Sequence, residues 1–389
     1  MLSGSFRIDP SDDQKWLRGK RVLKSSGEVV VHSVDLFSGC GGLSLGLREI
    51  CRRMGFGHEV KFASEWDPEV MDIFIQNFKP TNFSCDDIDS LLSVSKNGII
   101  RKKEEVFLAE NRGIVEPEIL LGGPPCQGHS DLNNHTRRED SRNNLYFRMV
   151  RASQLLNPKA IIIENVPTVI HSTENVVQRT KKMLEQQKYF VEEKILWSHH
   201  YGVPQKRKRH FLVASKISMP DFALIEPVAE KFVNKSRDLE WAIGDLRDSY
   251  DKARVFSSSA TPSPRNQERM DYLLENDIYD LPNEERPPCH QQGHNYPAVY
   301  GRMRMDCPTD TITAGFGSTG QGRFMHPDAA PGRTLTPHEA ARVQTFPDWF
   351  DFGERKRGVL SKSIGNAVPP LLAMYVCYVA LSSIDFDLS

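Results

Sequence analysis

The chain has 389 residues, a formal net charge of −1 and 39% hydrophobic residues. That length supplies ample core for one large or two moderate domains. The near-neutral balance excludes a uniformly basic, nucleic-acid-coating protein, so a polyanion would have to be met by local clusters such as Arg137-Arg138, Arg207-Lys208-Arg209 or Arg355-Lys356-Arg357. In chain order, residues 1–28 are polar and mixed in charge and read as a loosely held arm. From Val29 to Ile217 apolar runs alternate with amphipathic stretches. Strands are expected at Val29–Phe37, Glu59–Ser64, Ile119–Gly122, Ala160–Glu164, Val191–Leu196 and His210–Ala214, with helices such as Leu145–Leu156 and Asn175–Gln187 between them. This alternation predicts an α/β fold with a doubly wound, Rossmann-like sheet. From Ser218 to Gly332 the pattern decays into proline, serine and glycine, which suggests a smaller, loop-rich second domain. Helical patterning resumes at Thr336–Phe346, with Thr336 as N-cap, Pro337 in the first turn and Glu339 closing a capping box, and again at Pro369–Leu381. The larger, sheet-containing domain is therefore expected to comprise residues 29–217 and 333–389.

The seven cysteines are scattered without paired spacing, which fits a reducing, cytoplasmic compartment. Cys289, His290, His294 and Cys307 match no zinc spacing, so no metal site is expected. No signal-peptide pattern opens the sequence, and Val368–Leu381 is too short and proline-broken to span a bilayer, so no membrane association is expected.

Four sheet-edge motifs carry the chemistry. Val34 to Leu47 reads as strand, glycine-rich turn and helix start; Gly39, Gly41 and Gly42 permit close backbone approach, and the helix offers free N–H groups to an anion. Glu65 and Trp66 follow the second strand, where an acid is placed to accept ribose hydroxyls and an indole to cover adenine. Asp87 and Ile88 follow a third strand end. Singly, each is more often a surface turn; in this order they point to an adenosine-containing cofactor with a small anionic group. Gly122 to Gly128 then places Cys126 on a turn stiffened by Pro124 and Pro125, just after Ile119-Leu120-Leu121. A thiol held at a sheet edge suits covalent catalysis, although the same residues would also accommodate a buried structural cysteine.

Taken together, Asp35–Gly46, Gly122–Ser130, Glu164-Asn165-Val166, Gln205–Arg209 and Gly365–Pro370 resemble, in order, the motifs of the cytosine carbon-5 DNA methyltransferases. The resemblance covers most of Val34 to Ala373 and implies S-adenosyl-L-methionine as cofactor, double-stranded DNA as substrate and 5-methylcytosine as product. It implies Cys126 as the nucleophile that adds to carbon 6 of a flipped-out cytosine. Glu164 would then be the acid at ring nitrogen 3; Arg209 would contact the base carbonyl and Arg207 would support it. The cofactor pocket is expected to take Asp35, Phe37, Ser38, Gly39, Gly41, Gly42, Leu43, Glu65, Trp66, Asp87, Ile88 and Pro124, with Asn366 and Val368 returning beside the first turn. The loop Gln127–Asn144, carrying Arg137, Arg138 and Arg142, would close over the DNA backbone. Residues 218–332 would read the sequence, with Thr309–Thr313 and Gly315–Arg323 in the groove. The lack of appended regulatory domains looks like a monomeric bacterial modification enzyme, with a cognate restriction endonuclease acting separately. An RNA (tRNA) methyltransferase is the alternative, but no Cys-Phe-Thr signature is present.

Overall fold

A computed structural model describes residues 8–23, 27–93, 99–125, 145–172, 175–291 and 298–386. Its centre is a seven-stranded sheet of β1 (Val30–Leu36), β2 (Gly57–Ser64), β3 (Asn82–Ser84), β4 (Ile119–Gly122), β5 (Ala160–Asn165), β6 (Phe190–Trp197) and β7 (Lys208–Ser215). The order is β3-β2-β1-β4-β5-β7-β6, and β7 runs antiparallel to both neighbours. The chain reverses direction across the sheet between β1 and β4, the place where an open α/β sheet leaves a crevice at its carboxyl edge.

Both faces are covered, and the sequence of the central strands shows why. On β5, Ala160 and Ile162 enter one core while Ile161 and Ile163 enter the other; on β7, Phe211 and Val213 oppose Leu212 and Ala214 in the same way. A strand buried on both faces reads as a continuous apolar run. Helices Gly42–Arg53, Pro68–Phe78 and Pro370–Ser382 pack on the first face, and Lys102–Glu110, Leu145–Leu156 and Val176–Gln186 on the second. Gly46 sits where the first helix meets Pro370–Ser382; a Cβ there would stand 2.5 Å from that of Ala373, so only glycine allows the two axes to approach this closely. The stretch Arg357–Ser382 is long and apolar enough to cross a membrane, but its most apolar segment is 89% buried inside the fold.

Two helix starts follow the capping rules. Asp67 accepts from the Glu69 amide at 3.1 Å ahead of Pro68. Thr336 accepts from the Glu339 amide at 3.1 Å while Glu339 accepts from the Thr336 amide at 2.8 Å. Part of the segment expected to be a loose arm, Ile8 to Leu17, is instead packed on the fold, while Lys20 to Leu23 are exposed. Ile8, Trp16 and Leu17 join the main core, and the fully buried Asp13 pairs with Arg53 at 2.7 Å and Arg237 at 2.8 Å. Residues 264–332 contribute a separate small core of Met270, Leu273, Leu281, Val299, Tyr300 and Met325.

Candidate active site

The carboxyl ends of β1 to β5 converge on a cavity of about 530 Å³, well inside the range of small-molecule sites. After β1 the backbone turns sharply: Phe37 and Gly39 both take left-handed conformations, with φ of 57° and 54°. A positive φ at a phenylalanine costs energy that the surrounding packing must hold, as is common at functional sites. The Gly39 amide donates to Glu65 Oε2 at 3.1 Å, and the Asp67 amide donates to Glu65 Oε1 at 3.1 Å. Burial raises the Glu65 carboxyl pKa, and these two amides pull it the other way. The far wall comes from residues 362–368.

Of the fourteen residues expected to bind the cofactor, eleven line this cavity: Phe37, Ser38, Gly39, Gly42, Leu43, Glu65, Trp66, Asp87, Ile88, Asn366 and Val368. Asp35, Gly41 and Pro124 lie behind it. The Asp35 side chain turns under the following helix, where Ser44 Oγ donates to Oδ2 at 2.6 Å and Oδ1 has no partner among the described residues. Burial pushes the Asp35 carboxyl up to about 7. Gly41 lies against Phe74 and Phe78, and the Pro124 carbonyl accepts from Asn165 Nδ2 at 3.2 Å. Lys362 and Ser363 were not anticipated, although helical spacing places Lys362 and Asn366 on one face. Lys362 Nζ lies 2.6 Å from Asp67 Oδ2 and 5.0 Å from the centre of the Trp66 ring.

Cys126, and the loop carrying Arg137, Arg138 and Arg142, lie outside the described residues, as does His294. The preceding Gly123 and Pro125 line the cavity, and so does Glu164. Arg209 Nε donates to Glu164 Oε1 at 2.8 Å. Burial weighs against charge on Arg209, and the Glu164 carboxylate opposes that effect. Arg207 faces elsewhere. It is buried, donating to the carbonyls of Ile312 at 2.8 Å and Gly365 at 3.1 Å, and so holds other segments in place instead of meeting the cavity. Gln205 is its neighbour in this role: Nε2 donates to Gln344 at 2.7 Å and Oε1 accepts from the Ile312 amide at 2.8 Å. Thr309 bridges Gln205, and Thr309 and Ile312 are buried there. Thr309 and Ile312 thus anchor the Thr309–Thr313 segment at the join with the sheet domain, while Asp310 is exposed.

The lining suits the cofactor that the motifs imply. An adenosine carries an apolar ring face and a ribose diol, and the cavity offers the surfaces of Phe37, Leu43 and Ile88 together with the Glu65 carboxylate. The hydroxyls of Ser38 and Ser363 are buried without a partner among the described residues, so polar ligand atoms would satisfy them.

Comparison with known proteins agrees. The chain is 40% identical over 365 residues to Type II methyltransferase M1.BsuMI of Bacillus subtilis, covering 93% of this chain and 83% of that one. It is 30% identical over 368 residues to Type II methyltransferase M.NgoPII of Neisseria gonorrhoeae, covering 87% and 92%. Solved structures sharing the fold include a prophage-encoded DNA modification methyltransferase of E. coli, with TM-score 0.60, 23% identity and coverage of 91% and 99%. The S. pombe Dnmt2 methyltransferase matches with TM-score 0.60 and 17% identity over 92% and 100%. Residues 31–380 match the profile of the C-5 cytosine-specific DNA methylases, and the chain belongs to that family.

Proposed function

We propose that this DNA cytosine carbon-5 methyltransferase works through Cys126, Glu164 and Arg209, and that it is the modification member of a restriction–modification pair acting as a monomer. The observation that supports this most is the Glu164–Arg209 pair, seated at the cavity edge beside the Gly123–Pro125 turn that leads into Cys126. S-adenosyl-L-methionine supplies the methyl group as an electrophile bound to a sulfonium. Glu65, Ser38, Ser363 and Asn366 would hold it, with Trp66 over the adenine. The protein's own residues make the cytosine reactive. The Cys126 thiolate adds to carbon 6, and the electron pair displaced through the ring is met at nitrogen 3 by a proton from Glu164. Arg209 fixes the carboxyl in the orientation that delivers it. Carbon 5, made nucleophilic by that addition, takes the methyl group; once it then gives up its own proton to a base, the carbon–sulfur bond breaks, the thiolate leaves and nitrogen 3 returns its proton to Glu164. Because carbon 6 is shielded in a stacked duplex, the cytosine must swing out of the helix to reach Cys126.

Residues 218–332 are proposed to choose the site, with Thr309 and Ile312 anchoring them to the sheet domain. Bisulfite sequencing of host DNA after expression tests the activity: a defined sequence context becomes methylated with the wild type and not with Cys126→Ser. Unmethylated DNA with a folded, cofactor-binding wild type would sink the reading.

A further inference from the structure

The chain leading into β7 alternates. Arg207 and Arg209 turn inward, whereas Lys206 and Lys208 are exposed. Lys208 pairs in register with Trp197, the last residue of β6. Its Nζ stands 4.8 Å from the centre of the indole ring. Trp197 is itself 39% exposed, unusual for so large an apolar side chain. His199 meets the same indole edge-on at 5.6 Å and leans on His200 at 4.3 Å. Burial, then the nearby His200 and Lys206 charges, push His199 down to about 4. The positive charge of this patch at neutral pH is therefore that of the lysines. Among the described residues neither lysine has a carboxylate partner, whereas Lys194, farther back on β6, is paired with Glu226 at 3.0 Å.

The location gives the patch its meaning. β7 is antiparallel, so its first residues lie at the same sheet edge where β5 delivers Glu164. β6 is two strands from β5, roughly 10 Å away at the usual strand spacing. The patch is not part of the cofactor cavity. Given DNA methylation as the function, on which this rests, we propose that Trp197 and Lys208 form a docking point for a phosphodiester of the substrate duplex. The indole is a shelf: it attracts the ammonium to its face and fixes its position, and the outward N–H donors remain free for a phosphate oxygen.

The test is fluorescence anisotropy of the full-length enzyme with a labelled duplex, titrated across about 50 to 200 mM NaCl. Lys208→Ala should weaken binding roughly three- to tenfold at low salt and lower the slope of log affinity against log salt by about one. Lys208→Arg should restore both, and Trp197→Phe, a weaker shelf that still fills the space, should fall between wild type and Trp197→Ala. Cofactor affinity should not move in any of them. A Lys208→Ala enzyme with wild-type affinity and slope overturns the proposal. Loss in Lys208→Ala with no change in Trp197→Ala overturns the shelf. A wild type that binds the duplex but methylates no DNA would instead refute the function, while the salt slope still reports on Lys208.

Discussion

Glu164 and Arg209 meet at 2.8 Å on adjacent strands, and their pairing holds this carboxyl at the cavity. Glu164→Gln keeps an oxygen for Arg209 but has no acidic proton to give. Single-turnover methyl transfer should fall by about 100- to 10,000-fold, with cofactor affinity retained. An unchanged rate at neutral pH would place the acid elsewhere. Asp35 shows a different use of a buried carboxyl. It is fully buried, and burial lifts its pKa from 3.8 to about 7 against the pull of Ser44. An acid whose pKa is higher when folded binds more protons in the native state between those values. Its contribution is therefore fully present below about pH 4 and is lost as pH rises through about 7. Asp35→Asn should flatten this fall, which is at most on the order of 4 kcal/mol. Urea unfolding at several pH values between 4 and 8 reads it. If both proteins lose stability in parallel over that window, another group is responsible.

At the scale of elements, what could be read from the sequence depended on how much of a segment's fate was local. The central strands were legible because residues such as Ile161 and Ile162, buried on opposite faces, leave a run of apolar side chains. β3 was signalled only by the acids at its end, since it has three residues and exposes Phe83. Helix Arg357–Asn366 left little pattern: its buried face includes Ser361, Ser363 and Gly365, and what buries it is contact with distant chain. The same holds for the N-terminal segment. Nothing near Asp13 in sequence announces Arg53 and Arg237, which neutralise it within the core. Removing one partner of a buried ion cluster strands the others, so Asp13→Ala should cost about 3–5 kcal/mol. The expected result is a lower urea midpoint with the slope unchanged. A midpoint equal to that of the wild type would return this segment to the status of a loose arm.

Across the whole molecule, one buried network ties four separated stretches of chain together. Gln205 links Gln344 to the Ile312 amide, Gln344 donates to the Ile364 carbonyl at 2.6 Å, and Arg207 spans the carbonyls of Ile312 and Gly365. Ile312 belongs to the region proposed to engage DNA, whereas residues 362–368 form a wall of the cofactor cavity. Arg207 thus joins the two binding regions through a single side chain. Any shift of one segment relative to the other would have to break a charge-assisted bond inside the protein. Arg207→Met keeps much of the volume but leaves both carbonyls unpaired. It should weaken cofactor and DNA binding together, each by about 1–3 kcal/mol. It should also reduce the factor by which DNA tightens cofactor binding, a coupling that must be equal in both directions. Calorimetric titration of cofactor with and without a methylatable duplex measures both quantities. Arg209→Lys, which touches Glu164 and not this network, should slow methyl transfer and leave the coupling factor as it is. Were Arg207→Met to slow the chemical step alone, with both affinities intact, Arg207 would act at the base and not as the tie between the two regions.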